Sequence, residues 1–269
     1  MKDIAWLGRT KLLVGEEKLL ILNKSNVLVV GLGGVGSFAA EFLVRAGVGN
    51  LTILDGDTID PSNRNRQLPA LHTTHGLYKT EVMKERLLAI NPELNLNVKT
   101  EFLSPDKVEP LLQETKYDYV VDAIDSITPK CYLIATSKFL GLPIVSSMGA
   151  GGKFDPTKIK VTDISKTRIC YLASYVRKRL KKMGVYQGVK TVSSTERIVD
   201  ESLMMTDGSN FKKSAYGTIS YLPAAFGGII SSVVISDLIN WKVEGLLPPK
   251  SESEIYFKTK KSSKKQFKP

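Results

Sequence analysis

The chain has 269 residues, enough to bury a full-sized core, and its expected organisation is one domain with or without appendages. At 42% hydrophobic and 24% charged it has the make-up of a soluble globular protein, and its two cysteines, Cys131 and Cys170, exclude a disulfide framework and a four-cysteine zinc site within one chain. The net charge of +11 concerns partners rather than fold.

Met1 to Trp6 lack the apolar core of a secretory signal. Asn26 to Val30 is a short apolar run, the pattern of a strand buried on both faces, and Gly31-Leu32-Gly33-Gly34-Val35-Gly36-Ser37 follows it. Helical character from Ser37 to Arg45 leads to a second strand, Leu51 to Leu54, ending at Asp55. Tyr78 to Ile90 reads as a helix stopped by Asn91-Pro92, Leu96 to Thr100 as a strand, and Lys107 to Gln113 as a short helix. Tyr117 to Val121 is another buried strand, ending at Asp122 to Asp125, and a helix from Pro129 to Leu140 leads to the strand Pro143 to Ser147. Such alternation implies βαβ units: an α/β, Rossmann-like, mostly parallel sheet flanked by helices.

Beyond it, Ile159 to Ile164 alternates apolar and polar residues, as a sheet with one solvated face would. Gly184 to Ala215 has no sustained period and reads as a long mobile loop. Pro223 to Trp241 is an apolar helix, core or interface; its longest apolar stretch, Ala224 to Ile235, is too short for a bilayer, which needs about 20 apolar residues. The expected location is therefore the cytoplasm, with no membrane partner. Lys258 to Lys268 is a basic tail with too little apolar surface to order.

Gly31-x-Gly33-x-x-Gly36 after a strand and before a helix is a phosphate-binding turn, and Asp55 at the second strand's end suits ribose hydroxyls. On those features alone NAD is as acceptable as ATP. The segment that follows tips the balance. Asp55-Gly56-Asp57, Asn63-Arg64-Asn65-Arg66-Gln67 and Lys79 crowd cations near the phosphates. A triphosphate needs them, because attack at its α-phosphate builds negative charge on departing pyrophosphate. Asp122-x-x-Asp125 ends a strand at the same crevice, where a carboxylate can hold magnesium.

Together, Gly31 to Ser37, Asp55-x-Asp57, Asn63-x-Asn65-Arg66-Gln67, Gly76-x-x-Lys79 and Asp122-Ala-Ile-Asp125 resemble the adenylating family of ubiquitin-activating enzymes, ThiF type, over roughly Leu7 to Trp241. Asp122 to Ser126 with Pro129-Lys130, Gly149 to Gly152 with Asp155-Pro156, Val161 to Thr167, and Ser194-Thr195-Glu196 resemble its branch acting on threonylcarbamoyladenosine beside the tRNA anticodon. The resemblance implies adenylation of that carboxylate by ATP, then intramolecular attack giving a cyclic product, AMP and pyrophosphate. It implies a nucleotide site of Gly31, Gly33, Gly34, Val35, Gly36, Asp55, Asp57, Asn63, Arg66, Gln67, Lys79, Asp122, Asp125 and Ser126. Arg9, Arg66, Lys79 and Asp125 would be catalytic, with Mg2+ on Asp125. Arg9 would reach into a partner's site, requiring a homodimer, or else is an ordinary surface residue. A structural monovalent cation (Na+ or K+) and a cysteine desulfurase or sulfur-acceptor partner are compatible with the resemblance; no zinc is expected, because the chain has no paired Cys-x-x-Cys ligands. It implies one adenylating domain over residues 1–247, with 184–215 as a mobile loop and 248–269 as the basic tail.

Two alternatives remain. A ubiquitin-like sulfur carrier could be the adenylated substrate, although its bacterial activators usually carry paired Cys-x-x-Cys zinc ligands, absent here. A dinucleotide oxidoreductase, or a binding module with a dead site, would not need Arg66, Lys79 and Asp125. Cys170 could be a thiolate near Arg168 or Arg177, or a small apolar filler, as Cys131 is. Arg177, Lys178, Lys181 and Lys182 form either a solvated helix face or a tRNA contact.

Overall fold

The computed structural model describes residues 5–205 and 214–241. Two short helices, α1 (Gly8–Val14) and α2 (Glu16–Lys24), precede β1 (Asn26–Val30). Then come α3 (Gly36–Ala46), β2 (Asn50–Leu54), α4 (Lys79–Ile90), β3 (Asn95–Lys99), α5 (Val108–Gln113), β4 (Tyr119–Asp122), α6 (Ile127–Phe139) and β5 (Ile144–Ser147). The remainder is β6 (Ile159–Asp163), α7 (Tyr171–Lys182), β7 (Lys190–Ser194), β8 (Leu203–Met205), β9 (Ser214–Tyr216) and α8 (Tyr221–Leu238).

Seven strands form one sheet in the order β3-β2-β1-β4-β5-β7-β6, parallel except for β6, which pairs antiparallel with β7. β1 is the pivot. Its side chains alternate between two cores: Val27 and Val29 pack with residues of α3, α4 and α8, while Leu28 and Val30 pack with those of α5, α6 and α7. Burial on both faces explains the uninterrupted apolar run. The chain leaves β1 toward β2 on one side and returns as β4 on the other, so the order reverses at the carboxyl ends of β1 and β4, where doubly wound sheets open a crevice.

Gly184 to Ala215 is not one long loop. Lys190–Ser194 is β7, seated between β5 and β6, and β8 pairs with β9. Thr191, Val192, Ser193 and Ser194 are buried. Small hydroxyl residues fill this position, and they are satisfied there: Thr191 donates to the Thr162 carbonyl at 2.8 Å and Ser194 Oγ accepts the Glu196 N–H at 3.0 Å. A buried strand made of hydroxyls carries no apolar signal. β6 is an edge strand, with Lys160 and Val161 both exposed, rather than a clean alternation. α8 is a core helix: Leu222, Phe226, Ile230 and Val234 are buried beside α3, and Ser231 donates to the Ala39 carbonyl at 3.1 Å. Lys258 to Lys268 and the 247/248 boundary lie outside the described residues.

Candidate active site

β1 stops at Val30, and Gly31 turns the chain at φ +92°; a Cβ there would sit 2.8 Å from the Ala123 carbonyl oxygen. A Cβ on Gly36 would come within 1.7 Å of the Gly31 carbonyl oxygen, so the first turn of α3 is pressed onto the strand end. Gly33 differs, because a Cβ there would meet only the Gln67 amide nitrogen, at 3.9 Å. Gly34 and Val35 complete the turn. The Ser37 and Ala39 N–H groups are taken by the Gly33 and Val35 carbonyls, so the anion cradle consists of the N–H groups of the turn ahead of them and the positive end of α3. Gln67 Oε1 is buried beside the cradle with no hydrogen-bond partner. A buried acceptor left unmatched in a polar crevice is what a donor on a bound ligand would satisfy.

Asp55 ends β2 with its carboxylate turned to the glycine turn, accepting the Leu32 N–H at 2.6 Å and the Asp57 N–H at 2.8 Å. Burial raises its pKa, against the Lys79 ammonium and those two N–H groups. Lys79, 5% exposed, opens α4 and donates to Asp57 at 2.8 Å. Arg66 is held by the Ser62 carbonyl at 2.9 Å and Asn65 Oδ1 at 2.8 Å. Burial lowers its pKa, opposed by the charges of Asp125 and Asp60. Asn65 donates to the Thr218 carbonyl at 2.9 Å, which ties the loop to the segment entering α8. Asn63 is a helix cap here: its Oδ1 accepts the Asp60 N–H at 3.2 Å while Asp60 accepts the Ser62 N–H at 2.8 Å.

The two aspartates that end β4 part company. Asp122 does not point into the crevice. It is fully buried, accepting from Lys130 Nζ at 2.7 Å, Ser146 Oγ at 2.5 Å and the Ile124 N–H at 3.1 Å, and Lys130 also donates to the Ser147 carbonyl at 2.9 Å. A strand alternates its side chains, and the ammonium of Lys130, buried on an apolar helix, needs a fixed counter-charge. Asp122 supplies it and locks the β4–α6 turn. Asp125 is exposed at that turn, within electrostatic reach of Arg66, and Ser126 opens α6. Lys130 is the residue whose role is missed from sequence; a lysine flanked by buried Pro129, Cys131 and Leu133 is the available signal.

Outside the crevice, Arg9 is exposed on α1, a helix with no buried residue and with Leu12 83% and Leu13 73% exposed. Lys178, Lys181 and Lys182 are exposed on α7, but Arg177 is not a free contact: it donates to the carbonyl and hydroxyl of buried Thr167. Cys170 is buried against Gly149 at the amino end of α7, near the buried Lys153, whose ammonium donates to the Gly149 carbonyl at 2.9 Å. Burial pushes the Cys131 thiol up to about 11.

The model of the ThiF family matches residues 8–267. The chain belongs to the ThiF family. Among its members, this chain is similar to the tRNA threonylcarbamoyladenosine dehydratase of Escherichia coli (strain K12), 45% identical over 205 residues covering 72% of this chain and 76% of that one. It is 37% identical to the enzyme of the same name from Bacillus subtilis (strain 168), over 86% of this chain and 94% of the relative. The crystal structure of the E. coli dehydratase, TcdA, in complex with ATP superimposes with a TM-score of 0.81 at 39% identity, covering 89% of this chain and 97% of that one. The adenylyltransferase and sulfurtransferase uba4 of Ogataea parapolymorpha is 34% identical over only 60% of this chain and 40% of its own length.

Proposed function

We propose that this ThiF-family chain is a cytoplasmic, ATP-dependent dehydratase of threonylcarbamoyladenosine in tRNA. The observation that carries the reading is the joint placement, at one edge of the sheet, of the anion cradle, the buried Asp55, the Asp57–Lys79 pair, Arg66 and the exposed Asp125. The dehydratases to which the chain is similar support the substrate class.

The reaction has two steps. A carboxylate oxygen of the substrate attacks the α-phosphate, the bond to the bridging oxygen breaks, and pyrophosphate leaves with the negative charge. An internal nucleophile of the same threonylcarbamoyl group then attacks the activated carbonyl carbon and expels AMP, closing the ring. Tethering makes this second step effectively unimolecular. Asp55 takes the ribose hydroxyls, and the N–H groups of Gly33 to Gly36 cradle phosphate, with Gln67 Oε1 matched by a donor on the nucleotide. Arg66 and Lys79 take the charge that grows on the pyrophosphate. Lys79 reaches this role from its pairing with Asp57, which holds the ammonium ready in a buried position.

Among the described residues no three His, Cys, Asp or Glu side chains converge on one point. Asp125, an exposed carboxylate at the crevice, would hold a magnesium ion that accompanies the nucleotide. Bound there, it would neutralise phosphate charge.

The unburied helix α1 supports a homodimer. A helix that buries nothing and exposes Leu12, Leu13 and Arg9 gains burial when a second copy covers it, and Arg9 then enters the partner's site. Asp125→Ala should abolish AMP release from ATP, magnesium and tRNA bearing the modified nucleoside. Arg9→Ala should do the same alone, yet regain part of the activity when mixed with Asp125→Ala. Absence of rescue despite proven subunit exchange would count against trans action. AMP release triggered by a ubiquitin-like protein and not by tRNA would replace the proposed substrate.

A further inference from the structure

Between Asp163 and Glu196 the chain contains no Asp or Glu, and α7 lies in the middle of that stretch. Its buried residues, Ala173, Val176 and Leu180, form one stripe against α6 and the core. On the opposite side, Tyr171, Tyr175, Lys178 and Lys182 are all exposed. At 100° per residue these four fall within a strip about 60° wide. Arg177 is outside the strip and spent on Thr167. The two tyrosines are 54% and 59% exposed. An exposed aromatic on a surface helix sheds apolar area only if something flat covers it, and two of them, four residues apart, occupy neighbouring positions on the helix.

The helix is also placed for a substrate. Cys170, which precedes it, packs on Gly149 just beyond the carboxyl end of β5, so Tyr171 starts at the sheet edge that carries the glycine turn. Arg179 donates to Thr128 Oγ1 at 2.9 Å, which ties α7 to the first turn of α6, the turn that follows Asp125 and Ser126.

We propose that this face of α7 is a platform for unpaired RNA bases, with Tyr171 and Tyr175 stacking on bases next to the reacting nucleoside and Lys178 and Lys182 taking the phosphates between them. The proposal rests on the dehydratase reading and assigns the part of tRNA that docks: a single-stranded loop rather than a duplex. Positive charge in a stretch of chain without Asp or Glu matches a polyanion, and aromatic rings between the cations match bases that are free to stack. A duplex would need only the cations, since its bases are covered by their neighbours. An acidic protein could cover the tyrosines as well, and is the competing outcome of the test below.

The test uses the full chain and two synthetic RNAs, an unmodified anticodon stem-loop and a blunt duplex of equal length. Tyr171→Ala and Tyr175→Ala should each weaken stem-loop binding roughly 5- to 150-fold, and the Phe variants should restore it, because stacking needs the ring and not the hydroxyl. The tyrosine variants should leave the salt dependence unchanged, whereas Lys178→Ala and Lys182→Ala should each lower its log–log slope by about 1. All four side chains are exposed, so the fold should survive their replacement. Equal stem-loop affinity in wild type and both Ala variants overturns the proposal, as does equal sensitivity of duplex binding to the tyrosines. Loss of binding to a ubiquitin-like protein with RNA binding intact overturns it as well. Failure of the dehydratase reading is distinguishable: a wild type that binds the stem-loop through both tyrosines but forms no AMP with modified tRNA refutes the reaction and keeps the platform.

Discussion

The half of the sheet formed by β3, β2, β1 and β4 handles charge differently from the half formed by β5, β7 and β6 with α7. Around β1, β2 and β4 the charges are of mixed sign, partly buried and matched: Asp57 with Lys79, Asp122 with Lys130, and Arg66 within reach of Asp125. On α7 they are of one sign and, Arg177 apart, exposed. Matched, buried charges respond to charge developing a few ångströms away, because water does not screen them. Exposed charges of one sign act at longer range and lose force with salt. On the proposed function the first region serves the reaction and the second the encounter with RNA.

Replacements that confuse the two kinds of charge should break this distinction. The largest effect should come from Lys130→Met, which leaves Asp122 buried without its partner and should destabilise the fold by about 3–5 kcal/mol, read from the denaturation midpoint. Pairing it with Asp122→Leu should recover much of that loss, since the apolar pair removes the orphaned charge. A small change in the single variant would mean that Asp122 is not committed to the core. Arg66→Ala should lower kcat by about 100- to 1000-fold with little change in stem-loop affinity. Loss of RNA binding instead would place Arg66 in the encounter surface. The α7 variants should show the reverse, a raised KM for tRNA that salt modulates, with kcat at saturation close to wild type.

The smallest effect concerns pH. Asp55 has its pKa raised by burial, so it gains a proton as pH falls at a point above the ordinary carboxylate value of 3.8. Protonated, it ceases to be a full acceptor for the Leu32 and Asp57 N–H groups and for a ribose. ATP affinity should therefore decline on acidification earlier than an ordinary carboxylate would allow, and in Asp55→Asn that decline should vanish along with most of the affinity. For stability the sign is opposite. A raised carboxyl pKa means that the folded state holds the proton more tightly, so the stability from this group is fully present below its unfolded pKa and is lost as pH rises through the folded one.

The same division governs what the sequence reveals. β1, its turn and α3 are legible because each residue there obeys a local rule: four consecutive buried residues, then glycines required by the Ala123 carbonyl and the Gly31 carbonyl. The charged residues after β2 are legible as a set, since loops at strand ends converge in this topology. What is hidden is which way a side chain turns. Asp122 and Asp125 look equivalent in sequence, yet strand alternation and a lysine eight positions on send the first inward. Arg177 and Lys178 are neighbours in a basic run, and only the nearness of Thr167 separates a structural arginine from a surface lysine. β7 escapes because its burial is carried by Thr191, Ser193 and Ser194, and the acceptor of the Thr191 hydroxyl, the Thr162 carbonyl, is brought to it only by the fold.

Attack of the tRNA-borne nucleoside's carboxylate on the α-phosphate of ATP, as proposed, would move one oxygen atom that a label can follow. The threonylcarbamoyl carboxylate is labelled with oxygen-18, the tRNA is turned over once with ATP and magnesium, and the nucleotide products are weighed. AMP should carry one labelled oxygen, pyrophosphate should be unlabelled, and the nucleoside should be lighter by one water. Label in inorganic phosphate, with ADP in place of AMP, would show activation at the γ-phosphate and contradict attack at the α-phosphate.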